Sequence, residues 1–152
     1  MKSLNKRRGL LATVTVLGLF PLMSTGAAYA LDDATQIALG KSEYMGHCAS
    51  CHGAMGMGDG PVAEVLSTKP NDLTRISANY AGTFPADHIY QVIDGQKMIN
   101  PHGDREMPVW GPRYWMMATE VAGSVPHDVD TQAMVHGRIT ALVKFLESIQ
   151  AE

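Results

Sequence analysis

Cys48-Ala49-Ser50-Cys51-His52 is the stretch that decides how the rest of the chain is read. Two cysteines three positions apart can each form a thioether to one vinyl group of a haem. The histidine that follows is then held against the same ring, where its imidazole reaches the iron; this is the c-type haem attachment spacing. Other uses of these five residues fit less well. A structural zinc site needs four ligands, as a rule from two paired knuckles, and the chain has two Cys in all. A thioredoxin-like dithiol follows a strand in a βαβ setting, whereas the run from Thr35 to His47 has the pattern of a helix. A disulfide across a two-residue gap would strain the backbone and staple almost nothing.

Upstream of the motif the N-terminus reads as an address. Lys2, Lys6, Arg7 and Arg8 form a basic region, Gly9 to Phe20 an apolar one, and Ala28-Tyr29-Ala30 a small-x-small cleavage site. Residues 1–30 are therefore expected to be a secretory signal peptide cut after Ala30, with the protein periplasmic. The apolar run is shorter than the roughly 20 residues a spanning helix needs and is interrupted by Pro21. Residues 31–152 are expected to form one domain with one haem, because no second CxxCH, internal repeat or low-complexity run is present. Losing the first 30 residues removes four of the twelve basic side chains and none of the fifteen acidic ones, which leaves a formal charge of −7. That charge argues against a nucleic-acid or anionic-membrane partner and suits a redox protein with a basic docking patch.

The periodicity is helical around the motif and at the far end. Asp32 or Thr35 is placed to cap a first helix in which Ile37, Gly40, Tyr44 and Cys48 recur along one face. Val135, Ile139, Leu142, Val143, Leu146 and Ile149 make the apolar stripe of a last helix from about Val129 to Ile149, with Pro126 just ahead of it. Gly40 suggests a close crossing of these two helices, with Leu142 or Phe145 against Tyr44. Between them, Gly53 to Gly60 carries four glycines in eight residues and must be loop. A short helix is expected over Pro61 to Leu66, a capped segment from Asn71 or Asp72 to about Tyr80, and a helix over Ala86 to Ile93 ended by a left-handed Gly95.

A His-ligated haem either takes a second protein ligand and carries electrons or leaves that position open to a small molecule. Met107-Pro108-Val109-Trp110-Gly111 is the candidate segment, read as an extended loop outside any helix and stiffened by Pro108. Met98, then His102, are the rival ligands, and an open site is the remaining alternative. His88, His127 and His136 are expected on solvated faces, and the other methionines in core or surface roles.

Taken together these residues resemble class I cytochrome c over nearly the whole of residues 31–152. The resemblance rests on Gly40 and Tyr44 ahead of Cys48-Ala49-Ser50-Cys51-His52, the Gly-rich loop, Pro70, the Met107-Pro108 pair, and the final Leu142-Val143-Lys144-Phe145-Leu146-Glu147-Ser148-Ile149. The Gly58-Asp59-Gly60-Pro61, Lys69-to-Thr74 and Met107-to-Gly111 runs are similar to those of bacterial periplasmic monohaem cytochromes. The resemblance implies an all-α fold of about four or five helices around one haem c bound through Cys48 and Cys51, with His52 and Met107 as iron ligands. It implies that the His52 ring is fixed by a proline carbonyl, here Pro70, with Pro61 as the alternative. Tyr80, Arg75, Trp110 and Arg113 are the candidate donors to the haem carboxylates. The implied activity is one-electron transfer between redox proteins, with no small-molecule substrate, no catalytic residue and no membrane contact except through a partner. The chain would act as a monomer or as the cytochrome subunit of a sulfite, thiosulfate or alcohol dehydrogenase. A haem-based gas sensor is the third reading.

Overall fold

The computed structural model describes residues 31–97, 107–124 and 130–151. The expected signal peptide, Met98, His102, Pro126 and His127 lie outside these residues. Among the described residues there are six α-helices and no strand. Four are long: α1 (Asp33–His47), α4 (Ala86–Asp94), α5 (Trp110–Ser124) and α6 (Thr131–Ser148). Two are single turns, α2 (Ala49–His52) and α3 (Ile76–Asn79). None is long and apolar enough to cross a membrane.

α1 starts where Asp32 accepts the Thr35 amide at 2.8 Å, which satisfies one of the donors a helix start leaves orphaned. It pauses at Cys48, whose amide still reaches the Tyr44 carbonyl at 2.8 Å, and resumes as α2. The haem motif is thus one stiff helical corner at the end of α1. α6 starts in the same way, with Asp130 accepting the Ala133 amide at 3.0 Å. α4 ends at Gly95 in the left-handed conformation, as expected.

The α1–α6 crossing is the main packing event. A Cβ on Gly40 would run into the Ala141 carbonyl and the Phe145 Cβ, so the backbones touch as only glycine permits. One turn on, the Tyr44 and Phe145 rings sit 5.1 Å apart. Leu142 and Ile139 are fully buried beside them, each worth about 1.5–3 kcal/mol. The Lys144–Asp33 pair at 3.6 Å spans the same two helices, but Asp33 is 77% exposed, and such pairs contribute about 0–1 kcal/mol. Packing decides the crossing.

α5 departs from the sequence reading. Trp110 is not in an extended loop but is the first residue of a 15-residue helix. Pro112 is tolerated because it falls in the first turn, where its missing amide is one that has no helical partner anyway. The stretch from Pro61 to Leu66 forms only a short 3₁₀ turn at Ala63–Val65, and Asp72 caps a 3₁₀ turn at Leu73–Arg75 that leads into α3.

Two glycines of α1 should respond to substitution with opposite sign. Gly40→Val should cost about 3 kcal/mol through overpacking against immovable backbone, lowering Tm by about 10 °C. A Cβ on Gly46 meets nothing within 4 Å, so Gly46→Ala should stabilise by up to about 1 kcal/mol through helix propensity. Thermal unfolding of the two variants measures both; a neutral Gly40→Val would contradict the crossing.

Candidate functional site

Beside the α1–α6 crossing lies a cavity of about 350 Å³, a size suited to a cofactor. One end is the haem motif, with Cys48 and His52. The apolar wall comes from Ile76, Ile89, Val92, Ile93, Leu142 and Leu146. Met107 and Trp110 also line it, and the same Cys48, His52, Met107 and Trp110 border a smaller adjoining cavity with Cys51 and Pro70. Residues far apart in sequence thus face one space.

His52 is 6% exposed, and its Nδ1 lies 3.2 Å from the carbonyl oxygen of Asn71. A carbonyl only accepts, so Nδ1 carries the proton and Nε2 carries the lone pair a metal requires. The resemblance put the Pro70 carbonyl in this role; the structure moves it one residue along. The Pro70 carbonyl is directed instead at Gly58, where a Cβ would strike it and where φ is +75°. The Gly-rich loop folds back on the motif through Gly58 N–H to the His52 carbonyl at 2.8 Å and Gly60 N–H to the Cys51 carbonyl at 3.1 Å. Its other side receives the Leu73 amide on Gly56 O at 2.7 Å, which ties the Asn71 segment to the loop.

Tyr44, with no exposed surface, donates its hydroxyl to the Gly53 carbonyl at 2.6 Å and pins the chain just after His52. Behind Cys48, the Glu43 carboxylate lies 3.4 Å from Arg138 Nε and 3.6 Å from His47 Nε2. Burial first, then the Glu43 and Cys51 charges, push the Cys48 thiol up to about 12. A redox dithiol or thiolate metal ligand needs the opposite shift. A thioether carries no charge and suits this place.

Of the proposed carboxylate donors, Arg75 and Tyr80 line the exposed rim of the cavity, and Trp110 lines its wall. Arg113 does not border either cavity at the motif. It is exposed on α5, with its guanidinium 5.4 Å from the Trp110 ring centroid, because it follows Trp110 by three residues on the same helix face. Met107 is half-buried against the core and is the sole methionine among the described residues on either cavity wall. Met55, Met57 and Met116 are exposed, and Met117 accepts Arg138 Nη1 at 3.6 Å.

The family model described as Cytochrome c matches residues 37–150. The chain belongs to the cytochrome c family. No curated protein and no solved structure gives a match. Cytochromes of this family bind haem c covalently and act as haem-based electron carriers. The cavity fits that group: its wall is apolar, the imidazole beside the cysteine pair offers Nε2, a thioether lines the same space, and polar side chains are gathered at the rim.

The structure brings to the cavity residues that the sequence reading missed. Asn71 was overlooked because a main-chain acceptor has no residue signature. His88, expected on a solvated face, is half-buried on the cavity rim with Asn79, its ring 5.5 Å from that of Tyr80. The spacing of His88 to Val92 on the apolar side of α4 could have shown it. His136 is exposed as expected, 3.0 Å from the Tyr90 hydroxyl.

Gln150 straps the cytochrome's cavity wall from outside. Its Nε2 donates to the Leu73 and Leu146 carbonyls at 2.8 and 2.7 Å, and its Oε1 accepts the Ser77 amide at 2.8 Å. Gln150→Ala should cost about 1–3 kcal/mol and speed hydrogen exchange at the Ser77 amide. Unchanged exchange there would show that the strap does not hold the segment.

Proposed function

We propose that Cys48 and Cys51 hold the haem thioethers, that His52 Nε2 and Met107 Sδ are the two iron ligands, and that the chain is a periplasmic one-electron carrier between redox proteins. When bound, the haem would supply the one-electron redox centre, and a thioether from Met107 as a ligand would raise its potential relative to a second imidazole. The protein's own part is positional. Asn71 orients the imidazole, Pro108 stiffens the segment that presents Met107, and the apolar wall excludes water, so oxidised and reduced states need little rearrangement.

The observation that carries this reading is that Met107, alone among the described methionines, shares the cavity wall with His52. Arg75 and Tyr80 at the rim and Trp110 on the wall are the proposed donors to the haem carboxylates, a role their cavity positions support. The sequence of residues 1–30 supports export and cleavage after Ala30. Partners with a basic docking patch suit the charge of −7 that cleavage would leave.

Met107→Ala in the haem-loaded protein tests the ligand. It should abolish the thioether-to-iron absorption at the red edge of the spectrum and lower the potential by on the order of 100 mV or more. A retained band and potential would transfer the role to another residue, Met98 and His102 being the rivals. Rapid, complete carbon monoxide binding by the unmutated reduced protein would instead favour an open, gas-binding site.

A further inference from the structure

We propose that Tyr114 is a positioning residue for the second iron ligand: its ring seats α5 against the end of α1 and so sets where Met107 stands relative to His52. This inference rests on the ligand assignment above and extends it to a side chain that lines neither cavity at the motif.

Met107 stands three residues ahead of Trp110, the first residue of α5. That link spans at most about 10 Å of chain, and Pro108 fixes one of its dihedrals. The place of the thioether therefore follows the place of the first turn of α5. One support of that turn is α4, where a Cβ on Gly111 would strike Asp94 and one on Gly95 would strike Val109. The other support comes from the attachment motif, and it runs through Tyr114.

Tyr114 and Trp110 are four residues apart on one face of α5, and both are buried. Both rings pack on His47, the last residue of α1 and the neighbour of Cys48. The His47 centroid is 5.1 Å from that of Trp110 and 6.0 Å from that of Tyr114, and the two α5 rings are 5.7 Å apart. His47 also borders the smaller cavity with Met107, Pro108 and Trp110. From α6, the Arg138 guanidinium lies 5.5 Å from the Tyr114 centroid. Its Nε pairs with Glu43 of α1 at 3.4 Å, and its Nη1 reaches Met117 of α5 at 3.6 Å. The Tyr114 ring, with no exposed surface, is thus enclosed by groups from all three helices. Burial first, then the Glu43 carboxylate, keep its hydroxyl protonated, so the seat is a neutral, rigid ring. Without that ring, His47 and Trp110 would have a gap to close, and α5 would carry Met107 with it.

The test separates positioning from stability. In the oxidised haem-loaded protein, Tyr114→Leu should weaken the thioether-to-iron band. Once reduced, it should bind carbon monoxide about tenfold faster, because the rate follows the fraction of molecules in which Met107 is off the iron. Tyr114→Phe keeps the ring and should return both readings to within about twofold of the unmutated protein. His47→Ala, at a half-buried position, removes the surface on which both rings rest and should speed carbon monoxide binding by about threefold. Val143→Ala, a core truncation on α6 that borders the groove beside α4 instead, should lower Tm and move neither reading. An unchanged band and rate in Tyr114→Leu would overturn the proposal, as would the same result in His47→Ala should the first variant not fold. So would a Val143→Ala variant that moves both readings as far. An unmutated protein that lacks the band would overturn the Met107 reading itself, and this proposal with it.

Discussion

The backbone contact at Gly40 is the constraint from which the rest of the structure follows. Because α6 comes close enough for the Ala141 carbonyl to occupy the place of a side chain, Tyr44 meets Phe145 one turn later, and Leu142 and Leu146 reach the cavity beside Cys48 and His52. A wider crossing would move that wall away from the motif. The apolar burial around the crossing outweighs the exposed ion pair that spans it.

From this crossing a chain of hydrogen bonds runs to the histidine. Tyr44 holds Gly53, the Gly-rich loop returns to the carbonyls of Cys51 and His52, and Leu73 closes on Gly56. Asn71, two residues before Leu73, presents its carbonyl to His52 Nδ1. Gln150 fastens the same segment to the end of α6. The imidazole is therefore oriented by main-chain groups that are themselves anchored at several points. Such a support suits a centre that must keep its geometry while its charge changes. Cys48, held away from thiolate character by burial and by Glu43, belongs to the same design.

Much of this was legible in the sequence, and the parts that were not share a physical cause. The CxxCH spacing, the Asp32 cap, the Gly40 crossing, the Gly95 stop and the α6 stripe each depend on a local rule, and each is found in the structure. α5 was missed because Met107 to Gly111 read as an extended loop stiffened by Pro108, although a helix can start at Trp110 just after that proline and tolerates Pro112 in its first turn. The shift from Pro70 to Asn71 and the placement of Arg113 over Trp110 rather than at the rim depend on tertiary register, which one sequence does not encode locally. His88 was read by residue type alone, as a surface histidine, while its place four residues before Val92 put it on the cavity side of α4.

The central proposal is that His52 and Met107 would both hold the iron of one haem. Proton NMR of the reduced, haem-loaded protein with isotopically labelled methionine methyls tests it most directly. The account predicts that the Met107 methyl, and no other, is displaced far upfield by the ring current of a porphyrin directly above it. A Met107 methyl at its ordinary position, or a different methyl in the displaced one, would contradict it.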